Sequence, residues 1–88
     1  MFNVQTDDFH NGFQMTFENG WTVSVQFGWP NYCSNQHKNG HVIHSSSDAE
    51  IAAWDKEGVW YRFANGDTVQ GWNSADDVAD FIAKVAEL

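Results

Sequence analysis

Apolar and polar residues alternate through residues 12–27, GFQMTFENGWTVSVQF, on both sides of Asn19-Gly20. Phe13, Met15 and Phe17 share one strand face; Trp21, Val23, Val25 and Phe27 share a face of the next. Asn-Gly signals a hairpin, and the loop length sets which faces meet. A two-residue loop would pair Phe17 with Thr22 and send the two apolar sets to opposite sides of the sheet. A loop of Glu18, Asn19 and Gly20 pairs Phe17 with Trp21 and Met15 with Val23, so both sets face one core. A slip of one residue inverts every side chain, so the pattern predicts the longer loop, with Gly20 in the left-handed conformation.

The phrase FENGWTV at residues 17–23 returns as FANGDTV at 63–69. The repeat reads as one turn grammar used twice rather than as a duplication, because hairpin chemistry alone explains a seven-residue match. Ala64, Asn65 and Gly66 form the second such loop, with Phe63 opposite Asp67 and Tyr61 opposite Val69. Lys56, Glu57 and Gly58 form a third, pairing Trp54 with Trp60 and Ala53 with Tyr61. The expected core face then gathers Ile51, Ala53, Val59, Tyr61, Phe63 and Val69. Trp54 and Trp60 become a cross-strand pair on the opposite face.

From Ser74 onward the period changes from strand to helix. Val78, Phe81, Ile82 and Val85 recur at i, i+3, i+4 and i+7, and Leu88 extends the stripe. Ser74 is an N-cap, Asp77 completes a capping box, and Asp76, Asp77, Asp80 and Lys84 suit the helix dipole. Trp72, Phe63 and Phe81 are expected to pack where the helix meets the sheet. Residues 28–50 form a long irregular loop in which only HVIH, at 41–44, suggests a strand. The expected architecture is a single α+β domain over 1–88. It has an antiparallel sheet of about five strands in two or three hairpins, and one C-terminal helix packed on one face.

Charge narrows the function classes. The 88 residues carry 12 Asp and Glu against 4 Lys and Arg, a formal net charge of −8. Nucleic-acid binding rests on phosphate neutralisation, so direct contact with DNA or RNA is not expected, nor is an anionic membrane. The charge suits solubility, attraction to basic partners, or imitation of nucleic acid. Five Trp, seven Phe and two Tyr supply a core and argue against disorder. With one cysteine there is no intrachain disulfide, and no signal peptide or spanning segment is read, so a cytoplasmic protein is expected.

Cys33, His37, His41 and His44 have thiolate and imidazole chemistry that zinc favours. Their spacing matches no standard zinc module, and Asn39-Gly40 opposes the helix that would align the first three. The expectation is no metal and no cofactor, with these four residues as the alternative ligand set. Cys33 with a neighbouring histidine could form a nucleophilic pair, but surrounding acidity raises the thiol pKa and no orienting group is evident. Asp7 and Asp8 fall in an expected N-terminal extension, and the helix-start carboxylates are explained by capping. No catalytic residue is assigned, so no enzyme is expected. The glycines match no phosphate-cradling motif. Trp54, Trp60, Trp29, Tyr32 and Trp72 exceed what a small core holds, which leaves two readings: a binding surface, or cover by the 28–50 loop.

The phrases HNGFQMTFENGWTVSVQFG with NYCSN, and AEIAAWDKEGVWYRF with DTVQGWNSADDVADFIAKV, span most of the chain. In them the sequence resembles a family of small, largely uncharacterised bacteriophage-encoded accessory proteins of the actinobacteriophage type. The histidine-bearing stretch at 36–47 lies outside those phrases. The resemblance brings no established site residues; it implies a phage accessory protein inside a bacterial host cell. The expected function is a non-enzymatic binding module that meets a protein partner, or itself, through an acid-framed aromatic patch, with inhibition of host defence or regulation as the expected role. The alternatives are a nucleotide binder that stacks bases on its rings, and a domain stapled by metal at Cys33 and the histidines.

Overall fold

The computed structural model describes residues 1–6, 10–37 and 45–88. Strands β1 (Phe2–Thr6), β2 (Asn11–Thr16), β3 (Thr22–Gln26), β4 (Ala49–Trp54) and β5 (Gln70–Asn73) pair antiparallel in chain order, and helix α1 (Ala75–Ala86) follows. The helix lies over β3, β4 and β5 on one face. This is the α+β architecture read from the sequence.

The β2–β3 register is the one that puts both apolar sets on one face. Met15 pairs with Val23 and Phe13 with Val25. The Phe17 N–H donates to the Trp21 carbonyl at 2.9 Å, and Gly20 turns the loop at φ 89°. The third hairpin repeats the geometry: Trp54 bridges Trp60, the Tyr61 N–H donates to the Ala53 carbonyl at 2.8 Å, and Gly58 sits at φ 81°. In the echoed phrase Phe63 bonds to Asp67 at 2.9 Å around Gly66 at φ 89°. In both phrases the asparagine carbonyl oxygen accepts from the N–H two residues on, Trp21 at 3.0 Å and Asp67 at 2.9 Å. The shared words are Asx-turn chemistry.

The two asparagines nonetheless do different jobs. The Asn19 amide nitrogen also donates to the carbonyls of Val85, Ala86 and Leu88 at 2.9, 3.3 and 3.2 Å. Those carbonyls lie at and just past the helix C-terminus, where local donors run short; Val85 also accepts from the Leu88 N–H at 3.2 Å. Among the described residues the Asn65 amide donates only to the Asp67 carboxylate, at 3.0 Å. At the other end of α1 the capping box is complete, with Ser74 and Asp77 each accepting from the other's backbone N–H at 3.1 Å.

Core positions follow the two periods. Val23, Val25, Ala49, Ile51 and Ala53 from the sheet meet Phe81 and Val85 from the helix. Tyr61, Phe63 and Phe81 form a triangle of rings with centroids 5.2–5.4 Å apart, and the Lys84 ammonium lies 5.3 Å from the Tyr61 centroid.

Several expectations need correction. Residues 2–6 are not an extension; they form the edge strand β1. The expected strand at 59–63 reduces to the Trp54–Trp60 bridge, because Tyr61 and Phe63 pack on Phe81 instead of continuing a ladder. The fifth strand is therefore Gln70–Asn73, paired with β4, and Tyr61 has no ladder partner at Val69. Val59, Trp72 and Leu88 are exposed rather than packed in the core. Asp7, Asp8 and HVIH lie outside the described residues.

Asn19→Ala is expected to destabilise the fold by about 1 kcal/mol more than Asn65→Ala. Both lose an Asx turn, but only the first strips donors from the helix end. A difference of that size shifts the midpoint by roughly 4–8 °C in thermal unfolding followed by circular dichroism.

Candidate functional site

A helix covers one face of a sheet, so the other face of β1–β4 must be satisfied differently. Its side chains follow from the strand period: Gln5, Gln14, Ser24, Gln26, Glu50, Ala52 and Trp54 line a depression of about 210 Å³ with His10, Asn31, Trp60 and Val69. The floor is polar, with Glu50 as its carboxylate, and Ser24, Gln26 and Ala52 in it are buried. Gln26 donates to Ser24 Oγ at 3.2 Å, while its buried Oε1 has no hydrogen-bond partner among the described residues. Gly12 makes room for that amide, since any β-carbon there would run into the Val25 carbonyl.

Trp54 and Trp60 close one end of this floor, with ring centroids 4.9 Å apart and planes at 39°. Trp60 keeps 45% of its surface exposed. The hairpin that joins them is tightened by Asp55, whose carboxylate accepts from the N–H groups of Glu57 and Val59, both at 2.9 Å. Beyond Trp60 lies a second depression of about 400 Å³, bounded by Val59, Trp60, Arg62, Thr68 and Val69. A third, of about 620 Å³, runs between Asn65, Asp67, Val69, Tyr32 and Trp72. Val69 borders all three, so the depressions make up a grooved region around that residue, with Trp54 and Trp60 lining one part and Tyr32 and Trp72 another.

The far end is built from strained backbone. Ala49 pairs with Asn73 and Ile51 with Gln70, so β5 carries one residue more than the facing stretch of β4. That irregularity holds Trp72 at φ 54°, a left-handed conformation unfavourable for a bulky side chain, and leaves it 58% exposed. Tyr32 supports it from the side. Its carbonyl accepts the Trp72 N–H at 2.9 Å, and the two rings lie 5.8 Å apart. Gly71 permits this approach, because a β-carbon there would meet Tyr32 Cβ at 2.6 Å.

Two carboxylates pin the segment that carries Tyr32. Glu50 accepts from the Tyr32 N–H at 2.8 Å and the Asn31 amide at 3.2 Å. Asp48 accepts from the Ser34 N–H at 2.6 Å and its hydroxyl at 2.8 Å. Both acids thus position chain, and no general acid–base pair is assembled from them. A separate cleft of about 350 Å³ lies on the helix side, walled by Phe13, Phe27, Val78 and residues 45–48. Asp48 is its titratable wall residue, already engaged by Ser34.

The aromatic set read from the sequence is therefore divided. Trp54, Trp60, Tyr32 and Trp72 belong to the groove. Trp29 lines none of its three parts and instead stacks on His37 at 4.8 Å. Sequence patterning put Val69 on the core face, whereas it walls these depressions, and it missed Arg62 and the glutamine floor; the alternation of Gln14, Ser24 and Gln26 with core residues was the available signal. Of the alternative metal ligands, His41 and His44 lie outside the described residues, Cys33 is buried and His37 exposed. Among the described residues no group of three or more His, Cys, Asp or Glu could hold a metal ion.

Burial pushes the Cys33 thiol above its ordinary value of 9.0, aided by Asp48 and Glu50 and opposed by hydrogen bonds from Asn35 and Ser46. The sulfur donates weakly to the Gly28 carbonyl at 3.8 Å. At neutral pH the group is a protonated, 2%-exposed thiol, the reverse of an activated nucleophile. As pH climbs past 9.0 the unfolded chain ionises before the folded one. The contribution of this burial to stability is whole below that pH and shrinks above it. Thiol titration with a disulfide reagent at pH 8 is expected to find Cys33 unreactive until urea unfolds the chain. Cys33→Ala should lose part of the decline in stability above pH 9.0.

No protein-family model matches the chain, and neither a curated protein nor a solved structure matches it significantly.

Proposed function

We propose that the protein is a non-enzymatic binding module whose working surface is the aromatic groove opposite the helix, and that its ligand is another protein. The observation carrying this reading is the pair of exposed indoles, Trp60 and Trp72, set in neighbouring depressions that share Val69 as a wall. Trp is the residue most enriched among binding hot spots, and an exposed aromatic lining on a small domain calls for a cover. A left-handed tryptophan costs on the order of 1–3 kcal/mol, which is tolerated where it serves a site.

Charge selects the partner. Glu50 and Asp67 line the groove, Asp55 and Glu57 sit in the hairpin loop beside Trp54 and Trp60, and the whole chain carries −8. A basic or apolar segment suits such a surface. A nucleotide does not: Arg62 is the cation among the lining residues, and its guanidinium already donates to the Gly66 carbonyl at 2.9 Å. In the phage context that the sequence phrases imply, the partner is a host or phage protein in the bacterial cytoplasm, and binding would inhibit a defence or regulatory system.

Affinity capture from bacterial lysate tests the reading. A retained protein should be lost roughly 30-fold or more with Trp60→Ala, as removal of a hot spot predicts, and progressively with added salt. Trp72→Gly should weaken capture while keeping the thermal midpoint within a few degrees, since glycine relieves the backbone that tryptophan strains. Capture that ignores both substitutions and salt would overturn the proposal.

A further inference from the structure

Among the described residues strand β1 has a sheet neighbour on one side only, and the backbone directions at its other side can be derived. The Thr16 N–H donates to the Met1 carbonyl at 2.9 Å, and the Met1 amine donates to the Thr16 carbonyl at 3.0 Å. Met1 and Thr16 are thus a doubly bonded antiparallel pair. Bonded and non-bonded pairs alternate along such a ladder, so Asn3 and Gln5 also aim their backbone groups at β2. The N–H and C=O of Phe2, Val4 and Thr6 point away from the sheet.

The side chains of the same strand are equally open. Phe2 faces Met15 and Val4 faces Phe13, which places both on the helix-bearing side. The helix lies over β3, β4 and β5, and Phe2 and Val4 each remain 74% exposed. Folded proteins guard an edge with charge, proline or a bulge. Phe2–Thr6 has no charged side chain, no proline and an unbroken register.

We infer that β1 is a self-association edge that pairs antiparallel with β1 of a second copy, about a two-fold axis through Val4. The outward residues Phe2, Val4 and Thr6 are symmetric about Val4. In that register Val4 meets Val4 of the other copy and Phe2 meets Thr6, and every outward N–H finds a carbonyl. On the helix side the exposed apolar residues of the two copies come together. On the other side Asn3 meets Gln5, amide to amide. Charge sets where a second copy can approach: two chains of net charge −8 repel over most approaches, and this strand, self-complementary about Val4, brings no like side-chain charges together. Both helices then stand on one side of a continuous ten-stranded sheet, two copies of the five-stranded one. Gln5 also lines the polar floor, so the two floors adjoin across the new seam. A single strand per copy is a small interface, so the dimer is a weak one.

Sedimentation velocity of the whole chain from about 10 µM to about 500 µM tests the inference. The wild type should shift reversibly from monomer toward dimer. Val4→Asp and Val4→Lys each place like charges face to face on the axis and should weaken dimerisation at least tenfold. An equimolar mixture of the two should dimerise again, because the axis then joins opposite charges. Val4→Pro removes an outward N–H without touching a β1–β2 bond and should also give a monomer, with an unchanged circular dichroism spectrum. A wild type that stays monomeric throughout overturns the inference, as would an edge reserved for a foreign strand. Dimers of Val4→Asp as strong as wild type, or a mixture that fails to associate, overturn it as well.

Discussion

The structure depends on one contact, the seating of Phe81 and Val85 on Val23, Ile51 and Ala53. An isolated helix of 12 residues is marginal in water even with good propensities, so α1 (Ala75–Ala86) persists because its apolar stripe is covered. The sheet needs the helix equally, since uncovered Val23 and Ile51 would face water. Each fully buried aliphatic or aromatic side chain contributes on the order of 1.5–3 kcal/mol. Ala49 and Ala53 are buried in the same seam, where their small side chains leave room for the helix. The capping box and Asn19 then satisfy the polar ends that this burial would otherwise leave open.

Because the helix covers β3, β4 and β5 on one face, the exposed tryptophans Trp60 and Trp72 lie away from it, and the exposed Phe2 and Val4 lie at the edge. The tryptophan pair stacks where the β4 hairpin overhangs the polar floor. Tyr61 and Phe63 turn the opposite way, onto Phe81, and pull their segment out of the sheet. That departure leaves β4 free to pair with Gln70–Asn73, and the extra residue there turns Trp72 outward.

Glu50 and Asp48 show how a site is assembled from distant sequence. Each lies at the entrance to β4 and binds backbone donors from Tyr32 or Ser34, which carries Tyr32 to the side of Trp72. A carboxylate that orders a loop is indistinguishable in sequence from one that meets solvent. The same holds for Asn19 and Asn65, identical in local wording and separated in role only by the helix end that passes beside the first.

Alternation, period and turn residues were sufficient to read the sheet–helix class, the register of β2 against β3, the Trp54–Trp60 pair and the capped helix, because each rests on neighbours within a few residues. They were insufficient for β1, whose Phe-Asn-Val-Gln pattern is short and borders an acidic stretch, and for the bulge at Trp72. Half of the groove was legible as surplus aromatics; which of them converge was decided by long-range contacts with Phe81, Glu50 and Val69. Local rules act through backbone geometry that every copy of a motif shares. Convergence of side chains depends on which distant surfaces are already occupied, and only the folded chain settles that.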